Sequence, residues 1–145
     1  MRTLILLLIV APLLGACAGK RSVSENQCVA GDWQTIGYRD GVVGYRSSRL
    51  LAHIDACGDH GVTPKRDEYM LGWAEGVCEY CEPTNGFYVG ERGWEHNNVC
   101  PADLKTGFQA AYRNGLELYQ ARADVASLEW ELEQKNNRLA EVKSQ

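Results

Sequence analysis

The chain has 145 residues, a formal net charge of −4 and 45% apolar residues. That is enough for one modest hydrophobic core. The acidic balance gives no electrostatic footprint for nucleic acid, and no basic face argues for direct binding of lipid headgroups.

In chain order, the first signal is Arg2 followed by the apolar run Leu4 to Leu14. The run is too short for a spanning helix and suits the core of a signal peptide. It ends in Leu14-Gly15-Ala16-Cys17, which reads as a lipobox. Gly15 and Ala16 suit the narrow pocket of a signal peptidase, and the Cys17 thiol would carry the lipid, diacylglycerol and palmitate. Residues 1–16 are then an excised lipoprotein signal peptide, and the protein meets the membrane through its lipid anchor. Ala18, where Asp would favour retention in the inner membrane, points to the outer membrane, facing the periplasm. Residues 17–27 lack an apolar pattern and read as a lipidated N-terminus and flexible tether.

Residues 28–119 carry helix signals throughout, so the expected fold is all-α. Asp32 can cap a first helix bearing Trp33, Ile36, Gly37, Gly41 and Gly44. Ser47 or Ser48 opens a second, with Leu50, Leu51, Ile54 and Cys57 on its apolar side, ended by Gly58 and Gly61. Thr63-Pro64 starts a third, with Asp67 and Glu68 in its first turn. Pro83-Thr84-Asn85-Gly86 stops it, and the glycine-rich segment Phe87 to Val99 reads as a loop with a small irregular hairpin. Pro101 starts a fourth helix running to about Val142. The expectation is a small disulfide-stapled domain of about four helices, with a Gly-rich loop and a long C-terminal helix.

Five cysteines follow the anchor: Cys28, Cys57, Cys78, Cys81 and Cys100. In an oxidising compartment they read first as disulfides, with many connectivities open. The favoured one joins Cys28 to Cys57 across a helical hairpin and Cys81 to Cys100 across the glycine-rich loop, leaving Cys78 as a free thiol. Cys78-Glu79-Tyr80-Cys81 has C-x-x-C spacing, but it lies at a helix C-terminus beside Glu79 and Glu82, the wrong end for lowering a thiol pKa. His53 and Cys57, spaced i, i+4, are a weak metal pair. No cofactor is implied.

Three segments share a pattern of small, aromatic, any, Asp/Glu/Asn, Gly, aliphatic: Gly37–Val42, Gly72–Val77 and Ala111–Leu116. A Tyr follows each, at Tyr45, Tyr80 and Tyr119. Small residues four apart share a helix face and let backbones approach closely. Tight packing among three helices is the expected reason. The alternative is a metal-binding or hydrolytic site in which Asp40, Glu75 and Asn114 converge on His53, with no catalytic constellation at recognisable spacing.

Residues 120–145 extend the last helix with a heptad. Leu118, Val125, Leu132 and Leu139 stand seven apart, and Ala121, Leu128, Lys135 and Val142 fill the complementary positions. A homodimer or an envelope protein partner is expected through Leu118, Val125, Leu128, Leu132 and Leu139.

Taken together, Cys28, Asp32-Trp33, Gly37, Asp40-Gly41, Gly44, His53, Cys57 and Gly61-Val62 with Pro64 form one half of a recognisable signature. Tyr69, Gly72, Gly76, Tyr80-Cys81, Pro83, Asn85-Gly86, Gly90, Gly93, Cys100-Pro101, Phe108, Tyr112 and Gly115 form the other. Over about residues 28–120 the chain resembles an uncharacterised family of Gram-negative lipoproteins, a domain of unknown function. The resemblance implies Cys28, Cys57, Cys81 and Cys100 as framework cysteines. It implies an aliphatic residue at position 78, from which this chain departs, and brings no activity with it. The functional expectation is a non-enzymatic structural or interaction protein of the cell envelope.

Overall fold

The computed structural model describes residues 21–144, so the lipobox and Cys17 lie outside the described residues. Within them the chain is helical: α1 Glu25–Ala30, α2 Trp33–Val42, α3 Arg49–Gly58, α4 Arg66–Tyr80, α5 Pro83–Glu91 and α6 Ala102–Lys143. The bridges join Cys28 to Cys57 and Cys81 to Cys100, and Cys78 is free. The Cys78 thiol is exposed.

Two elements differ from expectation. The tether expected up to residue 27 gives way earlier, because Val23 is buried in the core and Ser24 caps α1 in a capping box with Gln27. The expected glycine-rich loop is largely helix α5. Pro83 sits at its first position, where the missing N–H costs nothing, so it starts a helix besides ending one. Gly86 and Gly90 then lie inside a helix, buried rather than turning.

Those glycines explain the architecture. The helices associate as two pairs, α2 with α4 and α5 with α6, rather than as three packed together. In the first pair a Cβ on Gly41 would lie 2.5 Å from the Trp73 carbonyl oxygen, and one on Gly76 2.8 Å from the Val42 nitrogen. In the second pair a Cβ on Gly86 would lie 2.5 Å from the Phe108 carbonyl oxygen, and one on Gly115 2.7 Å from the Glu91 nitrogen. Backbone meets backbone in both, which only glycine permits.

The two pairs are internal repeats of each other. Gly44 and Gly93 follow their helices with φ of 73° and 66°, and a Cβ on either would strike a tyrosine ring, Tyr80 or Tyr119 respectively. The Trp73 indole donates to the Tyr45 carbonyl at 2.8 Å, and the Tyr112 hydroxyl donates to the Trp94 carbonyl at 3.0 Å. The three-fold sequence pattern is thus four-fold. The fourth copy, Gly86 to Trp94, has Val89 where the first has Asp40.

The core follows the pairs. One cluster gathers Val23, Cys28, Trp33, Ile36, Leu50, Cys57 and Tyr69, and the other Val77, Tyr80, Cys81, Val89 and Phe108. Trp73 packs against both.

Candidate functional site

The first repeat contains polar groups that the second lacks. On α3, Arg49, His53 and Cys57 recur every four residues and so share one face. Cys57 staples that face to α1, and His53 is 1% exposed. Asp40 on α2 and Tyr69 on α4 converge on it. His53 Nε2 lies 2.8 Å from Asp40 Oδ2, which also accepts the Tyr69 hydroxyl at 2.8 Å. Arg49 Nε stands 3.2 Å from Asp40 Oδ1, and its guanidinium covers the Tyr45 ring at 3.9 Å. On the other side of the imidazole, Nδ1 lies 2.8 Å from Ser22 Oγ.

Burial, the hydrogen bond to Asp40 and that carboxylate's charge together push the Tyr69 phenol well above its ordinary range, so it remains a donor. The Ser22 hydroxyl is also 2.8 Å from the Ala52 carbonyl. With a neutral ring, Nε2–H is donated to Asp40 and Nδ1 accepts from Ser22. Alternatively Ser22 donates to the Ala52 carbonyl, and its oxygen still faces Nδ1. In either arrangement the cluster ties the entering chain to α2, α3 and α4. Ser, His and Asp stand in a row, but the ring is almost fully enclosed and carries its carboxylate on Nε2.

Of the residues the sequence singled out, Asp40 and His53 meet. Glu75 is exposed and reached by Gln34 at 3.4 Å, and Asn114 is exposed on α6. Cys57 is consumed by its disulfide, and no metal-holding group occurs among the described residues. Sequence reasoning missed Ser22, Arg49 and Tyr69. Arg49 was legible four residues before His53. Tyr69 was legible as a hydroxyl at the position Phe108 occupies in the repeat. Ser22 carried no signal.

The second feature is the far half of α6. Arg122 reaches Glu91 at 3.6 Å, and every described residue from Tyr119 onward is exposed. From Arg122 to Lys143 the helix projects about 32 Å at 1.5 Å per residue. At about 100° per residue, Phe108, Tyr112, Gly115 and Tyr119 face α5, and the heptad stripe points to the other side. Val125, Leu128, Leu132, Leu139 and Val142 are 52–65% exposed.

The family described as Protein of unknown function (DUF2799) matches residues 32–117. The chain belongs to this family. The DUF2799 match covers both glycine pairs and includes Asp40, His53 and Tyr69, whereas Ser22 and the projecting arm lie outside it. No significant match to a curated protein or to a solved structure is found.

Proposed function

We propose that this DUF2799 chain is a periplasmic lipoprotein of the outer membrane that acts by contact rather than catalysis. In this reading Cys17 carries the lipid and the arm of α6 is the docking element. The observation that carries it is the arm itself. Its apolar stripe, interrupted at Lys135, exposes surface that a partner would bury. Further support comes from the lipobox and from two bridges suited to an oxidising compartment. No described helix is long and apolar enough to cross a membrane.

Incorporation of labelled palmitate into the wild-type chain, and its loss in Cys17→Ser, tests the anchor. Pull-down from envelopes with the wild type and with Leu128→Asp/Leu132→Asp tests the arm; the variant should lose its partner. An identical partner list for both would refute the docking role.

A hydrolytic reading has one observation in its favour, the Ser22–His53–Asp40 row. A fluorophosphonate probe decides between the two. We expect no adduct at Ser22, since an enclosed ring that spans Ser22 and Asp40 acts as a clamp; stoichiometric labelling there would establish a nucleophile.

A further inference from the structure

Resting on the arm as a docking surface, we infer that its partner is the same arm of a second copy, lying antiparallel. The seam from Leu118 to Val142 spans about three and a half heptads, long enough to sustain a coiled coil. Beyond Arg122 its charges are divided along its length: Asp124, Glu129, Glu131 and Glu133 come first, then Lys135, Arg138 and Lys143 with a single Glu141.

A parallel pairing sets equal positions together. Lys135 would oppose its own copy inside the seam, Asp124 would face the partner's Glu129, and Arg138 would face the partner's Lys143. Glu117 with the partner's Arg122 is the attractive flank. Like charges inside a seam are desolvated and expensive.

Reversing one arm about a two-fold axis at the level of Trp130 removes that conflict. Leu128 then meets the partner's Leu132, Leu118 the partner's Val142, and Ala121 the partner's Leu139. Lys135 lies against the partner's Val125 and beside the partner's Asp124. Asp124 faces the partner's Arg138 on both sides of the axis. The like-charged contacts that remain, Glu129 and Glu131 each with its own copy, sit on the solvated rim where such pairs weigh least. The contact is isologous and closes at two copies. Because the stripe faces away from α5, the second arm can lie along α6 without displacing the domain.

The test uses the full acylated chain in its own envelope, with a photoactivatable leucine isostere at Leu128. Crosslinking to a second copy is expected. An adduct with a different protein would overturn self-pairing and leave the docking reading standing, and no adduct would overturn both. Charge reversal reads the orientation. Arg138→Asp alone, or Asp124→Arg alone, should lower the yield of linked pairs about tenfold, since two symmetric contacts turn repulsive. The double variant should restore it. A parallel pair predicts the opposite sign, because each single change would then pair with Lys143 or Glu129 of the other arm. Increased yield in the single variants would therefore refute the antiparallel arrangement. Both positions are exposed beyond the domain, so its folding is not at stake.

Discussion

Adding one methyl group at Gly41 should separate α2 from α4. The new Cβ would lie 2.5 Å from the Trp73 carbonyl oxygen, 2.8 Å from the Val77 nitrogen and 2.9 Å from the Gly76 carbonyl carbon. Ordinary contact begins at 3.4 Å, and the neighbours are backbone that no rotamer change can move. The helices must part by about 1 Å, which costs about 1–3 kcal/mol as overpacking, and the lost contacts along the pair push toward the upper end. Replacing a mid-helix glycine by alanine returns about 0.8–1 kcal/mol, so a net loss of about 1–2 kcal/mol remains. Gly107→Ala supplies the control: on α6 its Cβ would meet Pro83 Cγ alone, at 3.3 Å, so the propensity gain should dominate. Urea unfolding followed by tryptophan fluorescence reports on this region, since Trp33 is buried in the first core and Trp73 packs against both. Gly41→Ala should lower the midpoint and Gly107→Ala leave it unchanged or raise it. Equal midpoints for Gly41→Ala and wild type would refute the backbone-contact account.

Asp40→Ala removes the acceptor shared by His53 and Tyr69 and the ion-pair partner of Arg49, and should cost about 3 kcal/mol in the same assay. Tyr69→Phe leaves Asp40 its other two partners and should cost about 1 kcal/mol; a larger loss for Tyr69→Phe than for Asp40→Ala would sink the carboxylate-centred picture. His96 is held below its ordinary value of 6.5 first by burial and then by the charge of Lys105. The unfolded chain therefore binds its proton more readily, and His96 makes the protein lose stability as pH falls below about 6.5 toward its folded pKa. His96→Phe should flatten that part of the profile, and an NMR titration of His96 at or above 6.5 would contradict the sign. Replacing Cys28 and Cys57 by Ser opens a loop with a sequence separation of 29 and should cost about 3.5 kcal/mol on chain-entropy grounds. For Cys81 and Cys100, separated by 19, the same reasoning gives about 3 kcal/mol, and unchanged unfolding midpoints would argue against it.

The all-helical class and the start of α2 at its Asp32 cap were legible because capping residues act locally, and the favoured cysteine pairing followed from where the expected helix ends would meet. The pairing of helices was not. Gly86 and Gly90 carry the local signal of a turn, and they are helical because a facing helix repays what glycine costs there. Pro83 misled for a related reason, since the same ring ends one helix and begins the next. The start of α4 moved two residues, from Pro64 to Arg66, where Lys65 caps without a side-chain bond. In the site, Asp40 and His53 meet, a pair that the sequence grouped only in its alternative to plain helix packing. Glu75 was grouped with them by its place in the repeat, yet equivalent positions on paired helices point to opposite sides of the pair. Ser22 could not be found from pattern at all, because it belongs to no helix and joins the cluster through long-range contact.

The docking of Arg21 to Val23 has a consequence for geometry at the bilayer. Arg21 reaches Asp59 at 3.2 Å, Ser22 is held by His53 and Ala52, and Val23 is buried, so the chain is already part of the domain there. With Cys17 acylated as proposed, the four steps from Cys17 to Arg21 cover at most about 14 Å. On that proposal the body would sit close to the headgroups, and its reach would be set by the stiff rod of α6 rather than by slack chain. A partner of that rod would then lie within a few tens of ångströms of the membrane surface, a condition that a second copy anchored in the same leaflet would meet.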